Sequence, residues 1–337
     1  AAGSGDDDLG NLYHPLDAIS DNAQKKTRRN LNMSGSLTWE VIKNLKLRAE
    51  LGLDSYRNKD NRYWGLTTYY IDNVPQGINQ GKPAIELING DRERFRSTNT
   101  INYDFKKFLG ENHSLNVMAG HEYLITKNNV LTSTVHGFPE SFTAEDAWKF
   151  TSEGDPFDTK DYFNPDDILL SYFGRINYDF QSKYIVSATF RADGSSRFGK
   201  GNKWGYFPSA AAAWRISSES FMEGTKSWLD DLKLRLSYGT AGNNNIPSGN
   251  ITQSYSPSAT SWINGYTNIW GPSKTMANPD LKWETTITRN IGLDFTFLNG
   301  KLSGTLEGYI NNTKDLLISF PTAGTGYDNQ YRNMGET

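Results

Sequence analysis

Residues 169–216 read LLSYFGRINYDFQSKYIVSATFRADGSSRFGKGNKWGYFPSAAAAWRI. Alternate positions from Leu170 give Leu170, Tyr172, Gly174, Ile176, Tyr178 and Phe180, against Ser171, Phe173, Arg175, Asn177 and Asp179. Gln181-Ser182-Lys183 breaks the run, and Tyr184, Val186, Ala188 and Phe190 then alternate with Ile185, Ser187, Thr189, Arg191 and Asp193. A period of two predicts long strands with one oily and one mostly polar face, and the tight break makes them a hairpin. Aromatics cluster near the turn (Tyr178, Phe180, Tyr184) and smaller aliphatics follow. Such a face suits a strand that crosses a bilayer with an aromatic girdle at the interface.

The same period recurs on both sides. Leu31 to Val41 and Leu45 to Leu53 form a hairpin around Lys43-Asn44; Phe95 to Phe105 and Leu115 to Ile125 form another. Tyr206 to Ile216, Leu232 to Thr240, Trp283 to Phe297 and Leu302 to Ile310 continue the pattern, with Asn299-Gly300 as a two-residue turn signal. Residues 57–93, 127–168, 243–282 and 314–330 read as long loops, and 194–204 as a modest one. Within 127–168, Ser141 is placed to cap a short helix through Trp148, and a second short helix is expected near Glu219 to Glu223. About ten long strands thus alternate short turns with long loops. That asymmetry predicts an all-β, antiparallel transmembrane β-barrel meander, with short periplasmic turns and long extracellular loops.

Composition agrees. Of 337 residues only 36% are hydrophobic, yet 13% are aromatic, with 18 Tyr, 17 Phe and 9 Trp. A strand with one oily face keeps the average hydrophilic, and mean hydropathy is -0.64. A net charge of -3 gives no reason to expect nucleic-acid binding, and zero cysteines exclude disulfides and thiolate metal sites. No apolar run is long enough for a transmembrane helix. Ala1 to Asp6 carries no basic or apolar leader and Asn333 to Thr337 no stop signal, so the chain reads as a fragment at both ends, with a signal peptide absent or outside this sequence.

The hairpin strings carry a resemblance. Tyr172-Phe173-Gly174-Arg175-Ile176-Asn177-Tyr178-Asp179, Ala188 to Gly199 (ATFRADGSSRFG), Trp204 to Ser209 (WGYFPS), Trp228 to Arg235 (WLDDLKLR), Asn278 to Glu284 (NPDLKWE) and Thr313 to Leu317 (TKDLL) resemble the SusC/RagA family of TonB-dependent outer-membrane transporters of Bacteroidetes. The resemblance is strong over about 169–337 and rests mainly on strand pattern over 1–168. It implies a 22-stranded barrel, an N-terminal plug, a SusD-like lipoprotein over the mouth, and energy from TonB–ExbB–ExbD through a periplasmic box. Residues 1–337 then correspond to part of the barrel domain in a Gram-negative outer membrane, with plug and C-terminal strands outside this sequence. No cofactor is implied.

The expected function is import of a nutrient, foremost an oligosaccharide. The alternatives are peptide import, as in the RagA branch, or a surface glycan-binding adhesin without transport. Sugar binding uses aromatic faces, and the loop candidates are Trp64, Tyr69, Tyr70, Trp148, Tyr255, Trp262, Tyr266 and Trp270. For each, loop packing or contact with the lipoprotein lid is the plainer reading. Arg175, Arg191, Arg235, Glu284 and Asp294 stand on polar faces and are candidates to line the lumen and tune solute passage; cross-strand ion pairing is the competing reading. Asp193 to Gly201 lacks GxxxxGK[ST] and lies between strands, so it reads as a structural loop. His14, His113, His121 and His136 lack HExxH spacing, and no GxSxG occurs; no catalytic or metal residues are assigned.

Overall fold

The computed structural model describes residues 15–72, 79–105, 110–163, 165–247, 249–263 and 266–337. Its first strands are β1 (Asn22–Ile42), β2 (Leu45–Trp64), β3 (Ala84–Asp104), β4 (His113–His136), β5 (Asp155–Phe163), β6 (Asp167–Phe180), β7 (Tyr184–Ser195) and β8 (Trp204–Arg215). Then follow β9 (Leu229–Asn243), β10 (Tyr255–Ile263), β11 (Tyr266–Pro272), β12 (Thr275–Met276), β13 (Glu284–Phe297), β14 (Leu302–Lys314), β15 (Leu317–Pro321) and β16 (Asn329–Asn333).

Hydrogen bonding orders ten of these as β1-β2-β3-β4-β6-β7-β8-β9-β13-β14; β5 pairs β4 and completes an 11-stranded sheet. Chain neighbours are sheet neighbours, as a meander requires. Registers such as Gly174↔Phe190, Ala188↔Ala210, Leu236↔Ile291 and Ile291↔Gly308 are antiparallel and keep the oily residues of successive strands on one face. That face is not buried. Phe190, Tyr206, Ile291 and Leu306 are 52%, 62%, 54% and 65% exposed. In water such a face would forgo about 1.5–3 kcal/mol of burial per large side chain, so it suits lipid and not an aqueous surface. The sheet is an open path ending at β1 and β14; among the described residues it does not close into a barrel.

The short turns use left-handed backbone. Gln181 and Ser182 have φ of 54° and 55°, and Asn44 has 72°. The turn expected at Asn299-Gly300 is wider: positive φ starts at Leu298 (56°) and runs through Asn299 (58°) and Gly300 (78°). The Leu298 N–H donates to the Trp228 carbonyl at 2.8 Å and the Gly300 N–H to the Asp230 carboxylate at 3.0 Å. Those anchors offset the strain of a left-handed leucine. The helix expected near Glu219 to Glu223 is a pair of 3-10 turns, Ile216–Ser218 and Ser220–Thr225. Glu219 accepts hydrogen bonds there from the Tyr184 hydroxyl (2.5 Å) and the Trp214 indole N–H (3.0 Å). The Tyr184 bond, then the Trp214 bond, holds its carboxyl below the usual glutamate range.

The expected long loops are shorter than periodicity indicated. β2 runs to Trp64 and β3 begins at Ala84, so much of 57–93 is strand. Its polar residues hid the pairing, because a ladder projecting beyond the bilayer has no need of an oily face. Likewise 127–168 contains the end of β4 and all of β5, 243–282 contains β10, β11 and β12, and 314–330 contains β15. β1 starts at Asn22, nine residues ahead of the alternation that begins at Leu31.

The chain divides into two compact units, one of 1–33, 53–94 and 126–164, the other of 34–52, 95–125 and 165–337. The first has a core of Tyr63, Ile85, Val135, Phe138 and Ala147. The second has a core of Phe198, Phe207, Ile246, Leu281 and Trp283. Gly242 is obligatory in the latter: a Cβ there would lie 2.0 Å from the Phe207 ring.

Candidate functional site

In the first unit two of the four aromatic candidates, Trp64 and Tyr70, bind one another. Trp64 ends β2, and Tyr70 lies in the short helix Tyr69–Asp72 that follows. Their rings stack at 4.0 Å and 18°. The Tyr70 hydroxyl and His136 Nε2 share a 3.0 Å hydrogen bond, and His136 stacks on Phe157 at 4.1 Å. Burial, then the carboxylates of Glu86 and Asp158, raises the Tyr70 phenol above its ordinary pKa. The phenol therefore stays protonated at neutral pH.

Trp148 lies in helix Ala144–Lys149, and its indole N–H donates to the Arg62 carbonyl at 3.1 Å. The N-cap is Thr143, not Ser141. The Asp146 N–H donates to the Thr143 hydroxyl at 3.3 Å, and the Thr143 N–H donates back to the Asp146 carboxylate at 3.1 Å. Asp three residues after the cap closes this box around Thr143; from Ser141 the third residue is Ala144, which has no acceptor. The Thr143 hydrogen bonds hold the Asp146 carboxyl below its ordinary value. Ala147, on the inward side of this helix, is buried in the unit's core, so the cap fixes the helix as a lid on that core.

Tyr69 and Tyr255 are 64% and 61% exposed. The side chains of Trp262, Tyr266 and Trp270 lie outside the described residues; their backbones belong to the β10–β11 hairpin, where Trp270 pairs with Pro257. His14 is also outside the described residues.

In the second unit the polar candidates form cross-strand networks. Arg191 on β7 donates to Asp193 (2.7 Å), Glu122 (3.1 Å) and Ser171 (2.8 Å), and its guanidinium lies over the Phe173 ring at 5.5 Å. Phe173 lies over Gly120, where a Cβ would come within 2.7 Å of it. Arg235 on β9 grips Asp294 on β13 through two 2.9 Å bonds and reaches Glu307 on β14 at 2.7 Å. Lys233 also meets Asp294, at 3.0 Å. Glu284 accepts from the Leu317 N–H at 2.8 Å and the Asn243 amide at 3.0 Å. Arg175 is exposed and has no ion-pair partner among the described residues.

Several partners escaped sequence reasoning. Glu122 on β4 and Glu307 on β14 reach their arginines across one intervening strand, β6 and β13 respectively. Arg197 donates to Asp167 (2.7 Å) and to the Ile246 carbonyl (3.0 Å), tying the 196–203 loop to the connection after β9. Only the run of charges at alternate positions hinted at these bonds. Among the described residues no cluster of three or more His, Asp or Glu could hold a metal.

Comparison with known proteins follows the same lines. The family described as TonB dependent receptor-like, beta-barrel matches residues 2–337. TonB-dependent receptor SusC of Bacteroides thetaiotaomicron is 35% identical over 263 residues, which is 73% of this chain and 24% of that protein. TonB-dependent receptor P26 of Formosa agariphila is 29% identical over 327 residues, 96% of this chain and 32% of that protein. A solved structure of the RagAB peptide transporter matches with a TM-score of 0.80 at 28% identity, covering 94% of this chain and 34% of that one. The chain spans about a third or less of the length of these relatives. They are receptors and transporters, and this chain resembles them and not an enzyme. The meander, the exposed oily face and these matches agree: the chain belongs to the SusC/RagA family of TonB-dependent outer-membrane receptors, in their β-barrel region.

Proposed function

We propose that this chain is part of the wall of a TonB-dependent importer, and that its cargo is a peptide. The observation that carries the reading is the agreement of fold with the RagAB peptide transporter over 94% of the chain. The loop chemistry supports it. A sugar ring needs an unoccupied aromatic face, but Trp64 and Tyr70 cover each other, and Phe157 covers His136. The polar face, with Arg191 and Arg235 each clamped by two carboxylates, offers fixed charges and acceptors suited to amides and charged termini.

In this reading the sheet closes with further strands into a barrel of about 22, the polar face lines the lumen, and the long connections face outside. Arg175, Arg191, Arg235, Glu284 and Asp294 then stand along the solute's path. The work is done with a SusD-like lipoprotein over the mouth and with TonB–ExbB–ExbD on the periplasmic side. Oligosaccharide import is the second reading, favoured by the exposed rings of Tyr69 and Tyr255.

The test is a binding screen on the full-length protein purified with any lipoprotein that accompanies it. Saturable binding of peptide mixtures, with no oligosaccharide bound, is the expected result. Binding of one oligosaccharide class, weakened by Tyr69→Ala or Tyr255→Ala, would replace peptide by glycan.

A further inference from the structure

The oily face of the second unit is not uniform. Between β7 and β14 it sinks into a furrow of about 770 Å³. Ala210, Ala212 and Gly308 floor it, and Val186, Leu236 and Ile291 rise along it. Register explains the depression. Ala212 pairs with Leu236, Leu236 with Ile291, and Ile291 with Gly308, so small residues lie on either side of two large ones.

At one end the oily run of β13 is broken. Ile287, Ile291, Leu293, Phe295 and Phe297 share a face with Arg289, and Arg289 is exposed. A cation on a lipid-facing surface is unfavourable unless it lies at the interface or meets an anion. Arg289 lies nearer the Glu284 end of β13, which joins a long connection, than the Phe297 end, which joins a short turn. Its guanidinium stands over the Tyr238 ring at 5.9 Å and donates to the neutral Asn312 side chain at 3.2 Å. No carboxylate pairs with it among the described residues. This contrasts with Arg191 and Arg235 on the opposite face, where carboxylates occupy the guanidinium.

We infer that the furrow seats one anionic membrane lipid, its phosphate on Arg289 and an acyl chain along the Ala210–Ala212–Gly308 floor. The charge selects the occupant. A neutral chain alone would leave Arg289 uncompensated, whereas a phosphate accepts two N–H bonds from the planar guanidinium. Tyr238 sets the guanidinium's plane, and Asn312 takes one of its N–H groups, leaving others for the lipid. The phenol ring also suits the headgroup level, where amphipathic aromatics concentrate. The inference rests on the outer-membrane reading of the oily face and not on the cargo.

The experiment uses the full-length protein in nanodiscs of phosphatidylglycerol or phosphatidylcholine with matched chains. After transfer to detergent, native mass spectrometry counts the lipids that remain bound. The wild type is expected to keep phosphatidylglycerol and lose phosphatidylcholine. Arg289→Gln should lower phosphatidylglycerol retention about tenfold, the loss of one strong charge-assisted contact, with Arg289→Lys in between. Ala212→Phe, which fills the floor and keeps the charge, should lower retention too; it also serves if Arg289→Gln fails to fold. Equal retention of both lipids by the wild type, or undiminished phosphatidylglycerol retention in Arg289→Gln and Ala212→Phe, would overturn the proposal. Peptide or glycan binding by the same preparations is read separately, so failure of the cargo reading leaves this result intact.

Discussion

The middles of the strands and the long connections between them obey opposite rules. In mid-strand, Leu236 and Ile291 are half exposed, while charges on the other face pair with one another. On the connections, Phe198, Ile246 and Leu281 are sealed from solvent within a core. Elsewhere Tyr63 and Phe138 are sealed under the capped helix. One chain thus uses apolar residues for two solvents. Mid-strand they face a medium as oily as themselves and gain little from one another; on the connections they are driven together by water.

Four substitutions should separate the two regimes. Phe198→Ala removes a fully buried ring from a water-driven core, and a loss of about 3–5 kcal/mol is expected, read as faster protease cleavage within 244–283 while the sheet persists. Leu236→Arg puts a charge on the mid-strand oily face and should cost about 2–4 kcal/mol, measured by urea unfolding in lipid; an effect below about 0.5 kcal/mol would mean that this face is not in the hydrocarbon. Thr143→Ala deletes the helix cap and should cost about 1 kcal/mol, seen as local amide exchange over 144–149 with no change at β9 or β13. The smallest effect is expected for Asp294→Asn. Arg235 keeps Glu307, so the loss should be slight and should shrink further as salt rises.

The cap also carries a pH sign. Asp146 is depressed in the folded state, so its contribution is complete above the ordinary aspartate range and fades as pH falls through the lowered folded value. Protection from exchange over 144–149, taken relative to the intrinsic rate at each pH, should therefore fall in acid for the wild type and be less pH-dependent in Asp146→Asn. Equal acid sensitivity in both would show that the box does not govern the helix.

The oily alternation of Leu170 to Phe180 and of Tyr184 to Phe190 made the hairpin and its register legible, because lipid demands a strict period of two. Where that demand ends, so does legibility. β2 beyond Leu53 (Asp54, Arg57, Asn58, Lys59, Asp60) is still strand but carries the composition of a loop. The polar candidates were half legible. Arg235 and Asp294 were legible as charges on polar faces, but that they pair, with Glu307 as a second partner, emerged only once the registers of β9, β13 and β14 were fixed. The stacking of Trp64 on Tyr70 was not legible at all. Residues six apart meet only because a tight turn and a four-residue helix reverse the chain between them, and no periodicity records that.

Pro208 has a consequence of another kind. β8 pairs with β9 only from Ser209↔Gly239 to Arg215↔Lys233, although β8 starts at Trp204 and β9 runs on to Asn243. Proline has no N–H for the ladder, and just beyond it Phe207 turns into the space above Gly242. One side-chain bond, from the Thr240 hydroxyl to the Pro208 carbonyl at 2.9 Å, closes the gap. The ladder between these two strands is therefore a zipper with the teeth missing at one end. Beyond Ser209 and Gly239 these two strands are therefore held by one hydroxyl and by the Phe207 ring over Gly242, and Thr240→Val would leave the ring to hold them alone.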